Sequence, residues 1–432
     1  MYGIVFAGQG AQRPGMGKSL YEASPAARAV FDRAGDGIKY DCFEADAERL
    51  MQTEVTQPAV YTMDMAAYAA LCEALGIEGV LGIGAVAGVA SGNALGAGGA
   101  LGAEAGADGR IASVAGAVVD GAPGIEKVAV AGAGAKVNAD GFPGPSAVAG
   151  FSLGEYAAFT AAGVIDSVET GIAVVKKRSL LMKEAGLNPD GSRRGAMAAG
   201  MGGRDAVLAL VEKARGADVL EAVNFNSPQQ TVVAGDVAAV ERFDALAKED
   251  RGLGVKAVPL SVSGAFHSPI MRPAAEGLAD ALAGFAFSEP TLPVYLNATG
   301  GTFDEYGGTE GGETGRPAGA AHGQGNAPGL SDAAHGQGWN TTVGGNEGRG
   351  LSDPDARAKA VMVRQVHSPV QWQKTIEAMA SAGIDVFIEV GPGKTLSGLV
   401  RKIVPGAAAL HVEDAESLSE TVKYVIENEA KQ

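Results

Sequence analysis

Between residues 195 and 262 the chain alternates in an order that few architectures accommodate. GAMAAGM reads as a strand, RDAVLALVEKARG as an amphipathic helix, and VLEAVNFNSPQQTVVAGD as two strands about a Ser-Pro turn. VAAVERFDALAKEDRG is a second helix and VKAVPLSV a last strand. The order β-α-β-β-α-β is that of a ferredoxin-like unit, and it predicts a compact subdomain over 193–262.

Strand and helix also alternate on either side of this unit, so the fold class is α/β. YGIVFAG is a short β-rich run ending in a glycine turn, and helical periodicity runs through 58–75 with Pro58 near the helix start. SAVAGFSLGEYAAFTAAG reads as strand, sharp turn and helix. DSVETGIAVVKKRSLLMKEAG is a helix that opens at a capping-rich acidic turn and stops at Gly186. Towards the end come a helix near 371–382, the strand DVFIEVG, a turn GPGK and the helix TLSGLVRKI.

Two segments stand outside this alternation. Gly accounts for 65 of 432 residues, about twice the usual share of roughly 7%, and its excess marks 79–146 and 301–357. The second segment repeats AHGQG at 321–325 and 334–338 and GLSD at 329–332 and 350–353. Both lack large apolar residues at any strand or helix period, so they read as insertions on the surface of a core made of 1–192 and 263–432. His322 and His335 belong to the repeats and read as exposed loop rather than as a metal pair.

Charge and cysteine content exclude several classes. A net charge of −16 argues against nucleic acid as a partner. Cys42 and Cys72 lie too far apart for metal-ligand spacing and read as reduced, buried thiols of a cytoplasmic protein. The N-terminus MYGIVFAGQG has no basic region of a signal peptide, and the Gly/Ala stretch 79–103 supplies too little transfer energy to span a membrane.

The chemistry concentrates at a few positions. GFSLG at 150–154 has the G-x-S-x-G spacing that lets a strand turn sharply into a helix, exposing a serine hydroxyl at the helix N-terminus. In a Gly-rich chain the pattern alone is weak; the apolar strand before it and the Ala-rich helix after it supply the context. Ser152 needs a base. Of the five histidines, His322 and His335 lie in the repeats, His411 in a terminal strand beside acids, and His367 before Ser-Pro. His267, in LSVSGAFHSPIM, occupies the loop between a strand and a Pro-initiated helix. GQGAQRPG at 8–15 fails the dinucleotide fingerprint because Arg13 replaces its third Gly, and VAVAGAGAKV at 128–137 fails likewise at Val137. The first of these turns can instead bring a backbone N–H to a reacting oxygen. Arg178, in KKRSLLM, is either part of a solvated basic helix end or a buried fork for a substrate carboxylate.

Taken together, FAGQGAQRPGMG (6–17), GFSLGEYAA (150–158), RSLLMKEAG (178–186), GAMAA (195–199), NFNSPQQTVVAG (224–235), SGAFHSPIM (263–271), QVHSPVQW (365–372) and EVGPGKTLSGLVRKI (389–403) resemble the malonyl-CoA:acyl carrier protein transacylases of fatty-acid synthesis and the acyltransferase domains of polyketide synthases. The eight segments occur in the family's order and cover nearly all the chain outside the two insertions. The resemblance implies an α/β-hydrolase-like core carrying the ferredoxin-like subdomain, with the active site in the cleft between them. It implies transfer of malonyl from malonyl-CoA to the phosphopantetheine thiol of acyl carrier protein, with no cofactor bound by the chain itself. Ser152 would be the nucleophile, His267 its base, and the amides of Gln9 and Leu153 the oxyanion hole. Arg178 would pair with the malonate carboxylate. Gln365 would orient the base through its backbone carbonyl, Asn226 would line the site, and Phe266 would crowd out an α-methyl branch.

Phe151 stands where many members have His before the nucleophile; that His is not the base, so activity is expected to survive. The insertions carry net charges of −2 and −5, so the rest of the chain keeps about −9, which opposes docking of an acidic carrier. A local basic patch of Lys176, Lys177, Lys394, Arg401 and Lys402 is therefore expected. Three other readings compete. A serine esterase would need an acid near His267, for which the subdomain offers Asp236, Asp244 and Asp250. A non-catalytic carrier-binding homologue would use the same surfaces without turnover. An acyltransferase of different acyl preference is the third. A monomer is expected.

Overall fold

The computed structural model describes residues 1–77, 144–306 and 351–429. The insertions expected over 79–146 and 301–357, with their repeats and His322 and His335, lie almost wholly outside the described residues.

Nine strands are described: β1 (Tyr2–Phe6), β2 (Ala147–Gly150), β3 (Gly195–Met201), β4 (Leu220–Ser227), β5 (Gln230–Asp236), β6 (Lys256–Pro259), β7 (Val294–Tyr295), β8 (Val386–Val390) and β9 (Ala408–Val412). Five of them form a parallel sheet in the order β7-β2-β1-β8-β9. Their composition explains the assignment: β1, β2 and β8 are short, almost wholly buried apolar runs, as a parallel sheet covered on both faces requires. Side chains alternate between the faces. Ile4 and Phe6 pack with the long helices Thr53–Leu75 and Val168–Ala185, while Val5 and Phe387 pack with Trp372, Ile376 and Leu399 of the helices Trp372–Ser381 and Thr395–Ile403. The protein has an α/β fold with helices on both sides of a parallel sheet.

Register decides where chemistry can happen. Phe6 stands opposite both Gly150 and Val390. The glycine turns that follow β1, β2 and β8 therefore emerge at one level, at the carboxyl edge of the sheet, where ligands of open α/β sheets bind.

The second sheet is antiparallel, in the order β4-β5-β3-β6. The helices Arg204–Arg215 and Val237–Glu249 cover it through Val207, Leu210, Val240 and Phe243. Its β-α-β-β-α-β connectivity runs from 195 to 259, between Ser152 and His267 in the chain. β4 is tied to the rest of the molecule by main-chain bonds on both sides of Val370, which donates to the Val223 carbonyl at 2.8 Å and accepts from Phe225 N at 2.9 Å.

One helix starts earlier than its periodicity suggested. It opens at Thr53, so Pro58 is its sixth residue rather than a start signal. The proline forgoes only the N–H that would have reached back into the first turn, a small loss for a helix buried along nearly its whole length. The cysteines are free and buried, and burial pushes both thiols up, Cys72 to about 12. No described helix is long and apolar enough to cross a membrane.

The same helix carries an unusual residue, Asp64, which is 0% exposed with neither carboxylate oxygen hydrogen-bonded among the described residues. Burial, reinforced by the nearby Glu389 carboxylate, holds its pKa well above the usual range. The folded protein thus keeps a proton that the unfolded chain releases above about 3.9, and it loses stability as pH rises past that value. Asp64→Asn is expected to raise the unfolding temperature at pH 8 by a few degrees, on the order of 2–4 °C per kcal/mol gained, with little gain at pH 4. Thermal melts at the two pH values check this; a gain confined to pH 4 would contradict it.

Candidate active site

The turn after β2 is shaped by what cannot fit there. A Cβ on Gly150 would lie 2.0 Å from the backbone of Gly154, and one on Gly154 would lie 2.3 Å from the Phe6 carbonyl oxygen. Glycine at both positions lets β2 turn within four residues into the helix Gly154–Ala161. The strain falls on Ser152, whose φ is 53°. Among the described residues only Ser152 and His267 (φ 63°) are non-glycine residues with positive φ. Such strain persists only where surrounding contacts over-determine it.

Those two residues meet. Ser152 Oγ lies 2.7 Å from His267 Nε2, and His267 Nδ1 donates to the Gln365 carbonyl at 2.9 Å. The backbone carbonyl fixes the tautomer, leaving Nε2 with a lone pair towards the hydroxyl. His267 is 3% exposed, and burial, with the Arg178 charge adding to it, lowers its pKa to about 4. The imidazole is therefore neutral, and able to accept a proton, throughout the physiological range. Asp236, Asp244 and Asp250 are engaged elsewhere: Asp236 accepts from Val219 N, and the other two pair with Lys248 and Lys213.

Arg178 is no solvated helix end. It is 1% exposed. Its Nη1 donates to Gln57 Oε1 at 2.7 Å, and its Nη2 to Gln365 Oε1 at 3.1 Å and to Ser152 Oγ at 3.3 Å. The guanidinium also lies 5.2 Å from the centroid of the Tyr156 ring. Burial lowers its pKa, while Tyr156 and Glu155 oppose the shift. Its Nε has no partner among the described residues. The result is a buried cation, held by neutral amides, that touches the hydroxyl it would serve.

Gln9 joins the same network through its side chain, accepting from Gln57 Nε2 at 3.2 Å and donating to Thr53 Oγ1 at 3.4 Å. Ser152 N is occupied, donating to Asn297 Oδ1 at 2.7 Å. The amides of Gln9 and Leu153 have no acceptor among the described residues, and both sit on turns at the carboxyl edge of the sheet. Phe266 is buried beside His267 in the main apolar cluster. Asn226 is buried in β4, but among the described residues its Oδ1 has no partner, and it makes no hydrogen bond to Ser152, His267 or Arg178. Phe151 turns away and packs edge-to-face on Trp372, with centroids 5.3 Å apart. Aromatic packing thus occupies the position before the nucleophile.

The residues of the expected basic patch fall in two groups. Lys176 and Lys177 ride on the helix Val168–Ala185, on one face of the parallel sheet. Arg401 and Lys402 end the helix Thr395–Ile403 on the other face, and Lys394 precedes that helix. The expected patch therefore draws on helices that cover opposite faces of the sheet. Three residues of the site escaped the sequence reading: Gln57, Glu155 and Asn297. The two in helices are polar positions within buried runs, a signal that could have been used; Asn297, in LNATG, reads as an ordinary turn residue.

With this geometry in view, the comparisons are specific. The model of the acyl transferase domain matches residues 4–117 and 112–306. The chain belongs to the acyl transferase family. It is 30% identical over 433 residues to the malonyl CoA-acyl carrier protein transacylase of Haemophilus influenzae, covering 98% of this chain and 99% of that one. Among solved structures it resembles an acyl carrier protein S-malonyltransferase from Vibrio cholerae, with TM-score 0.64 and 28% identity, covering 97% of this chain and 99% of that one. It also resembles a malonyl-transacylase solved in complex with a type II polyketide synthase acyl-carrier protein. That likeness has TM-score 0.65 and 26% identity, and covers 98% of this chain and 99% of that one.

For this acyl transferase the low pKa of His267 makes a direct prediction. Phosphonylation of Ser152 by a fluorophosphonate probe should hold its rate from pH 8 down to about 5.5 and fall to half near pH 4, as the base becomes protonated. A midpoint near 6.5, the value of an unperturbed histidine, would contradict the buried, neutral base.

Proposed function

We propose that the protein transfers the malonyl group of malonyl-CoA to the phosphopantetheine thiol of acyl carrier protein through a malonyl ester on Ser152, supplying fatty-acid chain elongation. The observation that carries this reading is the buried Arg178 guanidinium 3.3 Å from a serine hydroxyl that already has a histidine base at 2.7 Å. A cation in that position is of no use to an uncharged acyl group and is suited to an acyl chain that ends in a carboxylate. Membership of the family and the named relatives support the same reading.

In the first half-reaction Ser152 Oγ attacks the thioester carbonyl as its proton passes to His267 Nε2. Charge develops on the carbonyl oxygen, which the amides of Gln9 and Leu153 receive. The C–S bond breaks and His267 returns the proton to the coenzyme A sulfur. In the second half-reaction the carrier's thiol gives its proton to His267, its sulfur attacks the ester carbonyl, the acyl C–Oγ bond breaks, and the proton returns to Ser152 Oγ. The protein supplies no cofactor to either step. We take the β3–β6 sheet as the ferredoxin-like subdomain over 193–262, inserted in an α/β-hydrolase-like core of 1–192 and 263–432. The site would lie between the two, with Phe266 and Asn226 as lining residues and a single chain as the working unit. The Gln365 carbonyl, rather than an acid, orients His267, which favours this reading over a Ser-His-acid esterase.

Selectivity is the test. Arg178→Ala is expected to lower kcat/KM for malonyl-CoA by roughly 30-fold or more, the cost of removing one partner of a buried charge pair, without lowering that for acetyl-CoA to the same extent. Arg178→Lys, which cannot present a fork to the carboxylate, should fall between. Equal losses for the two acyl donors would contradict the role given to the guanidinium.

A further inference from the structure

Asn297 follows β7 by two residues, in a loop closed on itself by main-chain bonds from Leu296 to Gly301 and from Gly300 to Leu296. Its side chain reaches both sides of the nucleophile turn. Oδ1 accepts from Ser152 N at 2.7 Å, and Nδ2 donates to the Gly150 carbonyl at 2.6 Å. Its own carbonyl accepts from Gln371 N at 2.7 Å, which anchors the loop to the segment that holds β4. Asn297 is 1% exposed.

The amide is itself held. Glu155, 1% exposed and three residues after the nucleophile, accepts on one oxygen from Asn297 N at 2.7 Å and from Asn297 Nδ2 at 3.2 Å. Its second oxygen has no partner among the described residues. With that carboxylate on one side and the Gly150 carbonyl on the other, Asn297 can present only its oxygen to Ser152 N. The arrangement therefore fixes the side-chain amide's orientation as well as its place.

From this geometry we propose that Asn297, oriented by Glu155, is the positioning residue that keeps Ser152 in its strained conformation and commits the Ser152 amide inward, so that the Leu153 amide faces the reacting oxygen. The inference rests on the acyl-transfer reading above and adds to it the device that makes the turn reactive. Ser152 at φ 53° would relax towards ordinary backbone without a bond on each side of it. A displacement of about 1 Å at a reacting atom costs on the order of 100-fold in rate. The charged and titratable groups facing this pair are Arg178 from the helix Val168–Ala185 and His267 from the loop before the helix Arg272–Leu282; the neutral Gln365 faces it from the helix Pro354–Val366. Burial pushes Glu155 up to about 7, against the opposing pull of Asn297, Gln365 and Arg178.

Asn297→Asp tests the proposal, because it keeps the acceptor for Ser152 N and replaces the donor with an oxygen facing Gly150 O and Glu155. Relative to the unchanged chain at the same pH, the burst rate of Ser152 acylation by malonyl-CoA should fall about 100-fold at pH 9. It should recover to within about tenfold at pH 6, as the facing carboxyls take up one proton that stands in for the amide's. KM for malonyl-CoA should move less than about threefold, since Arg178 keeps its partners Gln57 and Gln365. The reversed pair, Asn297→Asp with Glu155→Gln, puts an amide opposite a carboxylate again; it should remove the pH dependence, and it serves where the single variant does not fold. A fluorophosphonate reads Ser152 without any acyl donor. Failure of the unchanged chain to load malonyl is thereby separated from failure of the positioning device. Unchanged rates at pH 9, a loss independent of pH in Asn297→Asp, a slope that survives in the reversed pair, or a loss in KM alone would each overturn the proposal.

Discussion

A guanidinium buried beside a serine hydroxyl is the constraint around which this protein is arranged. Taking a cation out of water is costly unless hydrogen bonds and a suitable field replace its hydration. Here the replacement comes from elements distant in sequence: Gln57 from the helix Thr53–Leu75, Gln365 from the helix Pro354–Val366, the Tyr156 ring from the helix after the nucleophile, and Glu155 as the buried acid whose charge supports it. All but Glu155 are neutral, so the guanidinium is held mainly by hydrogen bonds and the ring face. In the proposed reaction a substrate carboxylate would pair with it. Burial lowers the pKa of His267 and the guanidinium charge adds to the shift, so the group proposed to select the acyl chain also helps keep the imidazole free of its proton.

The parallel sheet makes these meetings possible. Because β1, β2 and β8 end at one level, the turns carrying Gln9, Ser152 and Gly391 converge although they are separated by more than 100 residues. The close approach of β1 and the elbow demands glycine at 150 and 154, and the local strain that follows exposes the hydroxyl. Gln365 links the parts: its carbonyl holds the base, its Oε1 holds Arg178, and its Nε2 donates to the Ser152 carbonyl at 2.5 Å. Displacing this one residue would disturb Ser152, His267 and Arg178 together.

What was legible in the sequence follows from which signals are local. The β-α-β-β-α-β order, the strand–turn–helix about Ser152 and the helix from Ser167 to Gly186 rest on periodicity and capping within short windows, and elements stand at those places. The helices between residues 18 and 50, of four to ten residues each, and the terminal helix Ala415–Glu429 went unassigned. The start of the helix at Thr53 was hidden by Pro58, which local rules place at a first turn. Asn297 was out of reach, because its role comes from contacts with Ser152, Gly150 and Glu155, more than 140 residues away. The basic patch shows the complementary limit: residues close in sequence or alike in charge are grouped with no knowledge of which face of the sheet each helix covers.

The central claim is that Ser152 carries a malonyl ester drawn from coenzyme A and yields it to a carrier thiol. Intact-mass spectrometry of the protein mixed with malonyl-CoA, alongside acetyl-CoA and a Ser152→Ala variant, tests it most directly. The account predicts a malonyl adduct that requires Ser152, exceeds any acetyl adduct, and disappears on addition of holo acyl carrier protein. An absent adduct, or acetyl loading equal to malonyl, would contradict it.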